Sequence, residues 1–428
     1  MRRSHLLLAG AVVVAGGAAL LGAGGSGDKA PHAQIPGASL STPTAVAAPA
    51  PAATGAGVAT PAAVTTAQLA VDLDRITREG DAYVTTLADG RKATLTLDPE
   101  LQPLAEKLLD QSRAPRGAIV AMAPDGRILA LAGRRTSEPK GAIKGTPDWH
   151  LVTDAWAPAA SIFKLVTATA LVDAGVDPDD KVCFHGGIRS VSDHNLRDDK
   201  RDSRCESLVF GVAHSQNAIL AKLAFQRLDS VKLLGAANAF GFTQPLQLAP
   251  GAFGELALPS EHDLAFAQAA AGFSQTKLSV LGGALLAATF ADAGEQPTPR
   301  LIAAIDGQPY AQPAPRRAIT AATAQQVTRM MEKTCDGGSA AKSFGRGRAI
   351  RVAGKTGTLT TERPFYMEHS WFVGFAPVDK PEIVVSVLLG NPENWHLRGH
   401  EAARRLIDRA LRDAMPREKD RAARPSHR

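Results

Sequence analysis

Ala157-Pro158-Ala159-Ala160-Ser161-Ile162-Phe163-Lys164-Leu165-Val166-Thr167-Ala168 is the stretch around which the rest of the chain is organised. It reads as a turn feeding a helix. Pro158 suits the entry, Ile162, Phe163, Leu165, Val166 and Leu171 make the helix mostly apolar, and Gly175 is placed to stop it. Ser161 falls near the helix N-terminus, where backbone N–H groups are unpaired. Lys164 lies three residues on and rises beside Ser161 on the same face. A hydroxyl beside an amine at the start of an apolar helix points to a serine nucleophile with a lysine base.

Taken alone, the pattern is weak. Ser-x-x-Lys occurs five times, at Ser26–Lys29, Ser137–Lys140, Ser161–Lys164, Ser274–Lys277 and Ser339–Lys342. Ser26 sits in Gly-rich sequence, and Pro139 separates Ser137 from Lys140 in a polar loop. Two further elements decide among the rest. Ser215-Gln216-Asn217 carries the chain's one Ser-x-Asn, and Lys355-Thr356-Gly357-Thr358 carries its one Lys-Thr-Gly. In the order Ser-x-x-Lys, Ser-x-Asn, Lys-Thr-Gly, Ser274 and Ser339 come too late, and Ser161 remains.

Each part has a chemical reason. An amide carbonyl is a poor electrophile and serine a poor nucleophile at neutral pH, so something must take the serine proton and something must hold the oxyanion. Lys164 serves as base only when neutral. Lowering a lysine by about three units from its ordinary pKa of about 10.4 costs about 4 kcal/mol. Burial against the apolar helix and a second cation, Lys355, both push that way. Ser215 can relay a proton between the leaving amine and a lysine, and Asn217 offers an amide to substrate backbone and to Lys164. Lys355, Thr356 and Thr358 supply one cation and two hydroxyls, which suit a carboxylate. Gly357 keeps the strand beside them clear of a side chain. The backbone N–H groups of Ser161 and Thr358 are expected to form the oxyanion hole.

The remaining sequence frames this constellation. The chain has 428 residues, enough for a large core, and is 45% apolar with only 5% aromatics, so Leu, Val and Ala must fill most of that core. The net charge of +6 is scattered. No basic stripe with interleaved aromatics appears, so the charge reads as solvated surface and nucleic acid is not expected as a partner. Residues 1–25 carry Arg2 and Arg3 ahead of an uncharged run from Leu6 to Gly25, which fits a signal peptide or an N-terminal membrane anchor, with cleavage and retention both open. Residues 26–66 are an Ala/Pro/Thr/Gly-rich tether expected to be disordered. Export makes the cysteines informative. Cys183 and Cys205 could pair in an oxidising compartment, worth roughly 3 kcal/mol, or stand as two free thiols; Cys335 is left over. No Cys/His spacing resembles a zinc site, and neither metal nor cofactor is expected.

Order is expected from residue 67. Ala67 to Glu79 reads as a short helix, and Tyr83–Leu87 and Ala93–Leu97 read as a hairpin around Asp89-Gly90. These make up segment 67–97. Asp98-Pro99-Glu100 starts a helix that runs to about Ser112. Gly117–Met122 and Arg127–Ala132 are strands joined by Pro124-Asp125-Gly126. Helical periodicity dominates from 161 to about 290, with helices at Asn217–Leu228, Val231–Phe240 and Val280–Asp292, followed by Thr323–Glu332. Three strands follow at Ile350–Thr358, Ser370–Phe375 and Ile383–Leu389, the last a β-branched run expected at the sheet centre. A helix over Glu401–Ala414 closes the domain, and 415–428 is a charged tail. Strands at both ends with helices between predict one sheet built from both ends of the domain 98–414 and covered by helices.

The three motifs together resemble those of penicillin-binding proteins, the penicillin-interacting serine acyltransferases. The similarity runs from about Thr94 to Ala414. Leu95-Thr96-Leu97-Asp98-Pro99-Glu100-Leu101-Gln102 is similar to the entry of the family's transpeptidase domain. Gly117–Met122 with Ile128–Leu131 is similar to its first hairpin, and Trp371-Phe372-Val373-Gly374-Phe375-Ala376-Pro377 to the strand after Lys-Thr-Gly. The resemblance implies a mixed α+β, β-lactamase/transpeptidase-like fold: a five-stranded antiparallel sheet flanked by helices, plus an all-helical subdomain. It implies a serine D,D-transpeptidase of peptidoglycan synthesis, acylated at Ser161 by D-Ala-D-Ala stem peptides and by β-lactams as inhibitors. It also implies a place on the extracytoplasmic, periplasmic side of the inner membrane. Where the family usually has Pro-Gly-Ser before the nucleophile, this chain has Pro158-Ala159-Ala160-Ser161. Too few ordered residues precede Thr94 for a glycosyltransferase domain. Other uses of the same residues are a D,D-carboxypeptidase or endopeptidase, a non-catalytic muropeptide or β-lactam sensor, and a β-lactamase. The last is disfavoured because no Glu-x-x-Leu-Asn stretch is present and because Asn217 stands where class D enzymes carry valine.

Overall fold

In a computed structural model of the protein, the described residues are 71–136, 146–246, 248, 250–311, 313–345 and 348–412. The expected anchor, tether and charged tail lie outside them.

The first described residues form a 3-10 turn, Leu73–Arg75, and then strand β1 (Thr77–Glu79). This corrects the helix expected over 67–79. Ile76 and Thr77 are β-branched, and Gly80, with φ +60, turns the chain back so that β1 pairs with β2 (Ala82–Thr86). β2 pairs in turn with β3 (Lys92–Leu95) through the expected turn at Gly90, whose φ is +86. Helix α1 (Leu101–Ser112) begins where Asp98 Oδ1 accepts from the N–H groups of Glu100 and Leu101, both at 2.8 Å. Strands β4 (Arg116–Met122) and β5 (Ile128–Arg135) follow as an antiparallel hairpin.

The helical middle comprises α2 (Lys164–Asp173), α3 (Leu208–Ala213), α4 (Asn217–Arg227), α5 (Ser230–Phe240), α6 (Leu264–Ala270) and α7 (Val280–Ala291). Then come strand β6 (Ile302–Ile305), helix α8 (Ala321–Asp336), strands β7 (Ala353–Thr361), β8 (Met367–Ala376) and β9 (Ile383–Asn391), and helix α9 (Gly399–Ala410). The main sheet has the order β7-β8-β9-β4-β5, antiparallel throughout, with a two-residue edge at Thr146–Pro147 as a sixth strand. It is assembled from both ends of the domain. β9 lies at its centre, every residue buried.

Alternation along β9 explains the layers. Val384 and Leu388 face one core with Leu281, Ala284 and Leu285 of α7. Val385, Val387 and Leu389 face a second core with Leu108 of α1 and Ala402 and Leu406 of α9. α7 is apolar on every side and is buried from Val280 to Phe290. Gly283 brings it down onto the sheet, since a Cβ there would stand 2.6 Å from Ser386 Oγ. With aromatics scarce, Ala and Gly let elements approach closely while Leu fills the gaps, each buried Leu being worth about 1.5–3 kcal/mol.

Two features are non-local. β6 pairs with β3 and so draws the N-terminal hairpin into a separate five-stranded sheet. Cys183 and Cys205 face each other in the short hairpin Lys181–Phe184/Arg204–Ser207 and are joined as a disulfide. Cys335 is a free, buried thiol.

Candidate active site

The turn that carries Ser161 is held from three sides. Ala157–Pro158 pairs with Lys277–Leu278, the Ala159 N–H donates to the Thr276 carbonyl at 2.9 Å, and Trp371 Nε1 of β8 donates to the Pro158 carbonyl at 2.9 Å. Between these ties the chain makes a 3-10 turn, Ala160–Ile162, and passes into α2. Ala160 has φ +49 and is buried, so the residue preceding Ser161 occupies the left-handed region, where glycine would be unstrained. Its carbonyl rests against Gly272, where a Cβ would stand 2.4 Å from the Ala160 oxygen. The departure from Pro-Gly-Ser is thus accommodated by a strained alanine and a glycine on the neighbouring turn.

Ser161 and Lys164 are brought together as the spacing predicts. Lys164 Nζ lies 2.8 Å from Ser161 Oγ and donates to the Ala271 carbonyl at 2.5 Å. The lysine is fully buried. Burial pulls its pKa well below the ordinary lysine value, and the nearby Lys355 ammonium adds to the effect. Lys355, on β7, is also fully buried and donates to Ser215 Oγ at 3.0 Å and to the Thr356 carbonyl at 2.9 Å. Burial lowers its pKa to about 7.

Ser215 stands in the tight turn between α3 and α4 with φ +56, a second strained residue at the site. Asn217 begins α4. Its Nδ2 donates to the Ile188 carbonyl at 2.9 Å and its N–H to the Gly187 carbonyl at 3.2 Å. Gln216 Nε2 donates to the Gly186 carbonyl at 3.3 Å. Three consecutive carbonyls of the disulfide-closed loop therefore seat the Ser215–Asn217 turn. That loop is itself anchored by buried Lys222, which donates to Asp202 at 2.7 Å and to the Cys183 carbonyl at 2.8 Å.

β7 is the edge strand of the main sheet and lies against the nucleophile turn. Ser161, Ser215, Asn217, Thr356 and Thr358 line one cleft of about 960 Å³. Gly357 also has a packing reason. A Cβ there would meet Ile162 and Trp371 at 3.2 Å, so its missing side chain lets the strand pack on the nucleophile turn. Ile188 and Arg189 on the disulfide loop, Arg204 and Gly272, which no motif marks, also line the cleft, as does Ser339, set aside by motif order. Of the other Ser-x-x-Lys pairs, Ser26–Lys29 and Ser137–Lys140 lie outside the described residues. Lys277 is turned to Glu255 at 2.7 Å on the surface.

Chemically, the arrangement offers a hydroxyl beside a buried amine of lowered pKa, and a second amine–hydroxyl pair next to the hydroxyls of an open strand edge. The model of the penicillin binding protein transpeptidase domain matches residues 117–411, a span that takes in all three motifs. The chain belongs to this family. Among relatives of the transpeptidase family, it is 28% identical to Stage V sporulation protein D of Bacillus subtilis over 365 residues, covering 79% of this chain and 55% of that protein. It is 26% identical to the peptidoglycan D,D-transpeptidase PbpA of Mycobacterium tuberculosis, covering 71% of this chain and 68% of PbpA. In structure it resembles Pseudomonas aeruginosa PBP2, with a TM-score of 0.62 and 27% identity over 80% of this chain and 84% of that one. The imipenem acyl-enzyme complex of penicillin-binding protein A from M. tuberculosis shares its fold, with a TM-score of 0.61 and 22% identity over 75% and 80% of the two chains. The transpeptidase fold expected from the sequence is therefore the fold of this domain.

Proposed function

We propose that the protein is a serine D,D-transpeptidase of peptidoglycan synthesis that β-lactams acylate at the same serine. The observation that carries this reading is the fully buried Lys164 amine 2.8 Å from Ser161 Oγ, with Lys355 nearby. The relatives named D,D-transpeptidase and the acyl-enzyme complex of a structural neighbour support it.

In this account Lys164, neutral in its buried site, accepts the Ser161 proton as Oγ attacks the carbonyl of the penultimate D-Ala. The N–H groups of Ser161 and Thr358 hold the oxyanion. Lys355, Thr356 and Thr358 hold the terminal carboxylate. The C–N bond breaks, and the departing D-Ala amine takes its proton through Ser215 from the lysine pair. An amine of a second stem then attacks the ester, gives up its proton by the same route, and releases Ser161. Asn217 holds the substrate backbone.

Among the described residues no helix is long and apolar enough to cross a membrane. We assign the membrane tether and extracytoplasmic placement to residues 1–66 on sequence grounds.

The test is product analysis with a D-Ala-D-Ala pentapeptide and a D-amino-acid acceptor. Exchange of the terminal D-Ala for the acceptor is the expected result. Release of D-Ala without exchange makes the protein a carboxypeptidase, and no reaction with either overturns the proposal.

A further inference from the structure

The fifth Ser-x-x-Lys match, Ser339–Lys342, is excluded as a nucleophile by its place in the motif order, yet the fold returns Ser339 to the cleft. Ser339 Oγ lies 2.6 Å from Thr356 Oγ1, and both residues line the cavity that holds Ser161. Lys342 does not share this position. It is exposed on the short helix after Ser339, where its charge bears on His400. The pair is therefore no second nucleophile and base.

Ser339 is held independently of β7. Its N–H donates to the Ala213 carbonyl at 2.9 Å. Gly338 sits so close to that carbonyl that a Cβ would stand 2.2 Å from its oxygen, so this turn is seated directly on the end of α3. Two residues later Ser215 Oγ accepts from Lys355 Nζ, and Lys355 neighbours Thr356. The contacts close a ring: the Ala213–Ser215 loop, Lys355, Thr356, Ser339, and back to Ala213. The ring fixes Thr356 from two directions. A threonine hydroxyl rotates freely unless a partner holds it. Either hydroxyl can donate; when Ser339 donates to Thr356 Oγ1, the Thr356 proton is left to point into the cleft.

We propose that Ser339 is a positioning residue for substrates ending in a free carboxylate: it orients the Thr356 hydroxyl toward that anion. The inference rests on the reading above, in which Lys355, Thr356 and Thr358 receive the carboxylate.

The test uses the full-length protein and its Ser339→Ala, Ser339→Thr and Ser339→Val variants. Second-order acylation rate constants are measured with benzylpenicillin and with its methyl ester, in which the same ring carries no free carboxylate. The wild type should favour the free acid. Ser339→Ala should lose about tenfold on the free acid, the size of one hydrogen bond to an ionised group, and nothing on the ester. Ser339→Thr should keep most of the wild-type rate, whereas Ser339→Val, which differs from it by the hydroxyl, should behave like Ser339→Ala. Equal losses on acid and ester, or no loss on the acid, overturn the positioning role and leave the transpeptidase reading standing. A wild type that is not acylated at Ser161, or that shows no preference for the acid, overturns both.

Discussion

At the scale of single residues, two buried lysines are assigned opposite duties in the proposed reaction. Lys164 must be neutral to accept a proton, and Lys355 must be charged to attract a carboxylate. Burial depresses both pKa values, and the Lys355 charge depresses Lys164 further, leaving Lys355 near 7. The sign of the pH dependence follows. Acylation rises with pH as Lys164 loses its proton, then falls as pH climbs past about 7 and Lys355 loses its own. A bell-shaped profile of second-order acylation by penicillin is the expected outcome, with its alkaline limb beginning near neutrality. A rate that climbs steadily to about pH 10, as for an ordinary lysine, would count against the assignment of both. That these residues gather at one cleft was legible because three short patterns stand in a fixed order along the chain. Ser339 was not, because order along the chain does not report which turn folds back beside β7.

At the scale of elements, the site depends on close backbone approach more than on side-chain packing. Ala160 in the left-handed region is tolerated because Gly272 leaves room for its carbonyl. Gly272→Ala places a Cβ 2.4 Å from that oxygen, at a glycine whose own φ is +90. This variant should lose roughly 2 kcal/mol of unfolding free energy and label with penicillin more slowly, as measured by denaturant titration and adduct formation. Ala160→Gly removes strain at the same junction and should keep the wild-type labelling rate. Strands and helices with strong periodicity were readable from the residues, as with the β-branched run Ile383–Leu389 at the centre of the sheet. Residues 71–79 were misread as helix because their fate depends on pairing with β2, which local propensity does not contain. The pairing of β3 with β6 was invisible for the same reason, with about two hundred residues between the partners.

At the scale of the whole molecule, the chain brings its two ends together into one sheet and places the helical middle against the edge strand β7, leaving the cleft between them. Ser161 comes from the start of that middle, Ser215 and Asn217 from its interior, and Lys355 from the returning strand. The two-ended sheet was legible in the order of strands, helices and strands. The disulfide loop that seats Asn217 was not, since its role comes from three backbone carbonyls and not from side-chain identity. Ser161 alone is predicted to be the acylated residue of this cleft, even though Ser215 and Ser339 share it. The most direct test is intact-protein mass and peptide mapping after fluorescent penicillin treatment of the wild type and of Ser161→Ala. One covalent adduct on the peptide containing Ser161, absent from the variant, is predicted; an adduct that persists in Ser161→Ala would contradict the account.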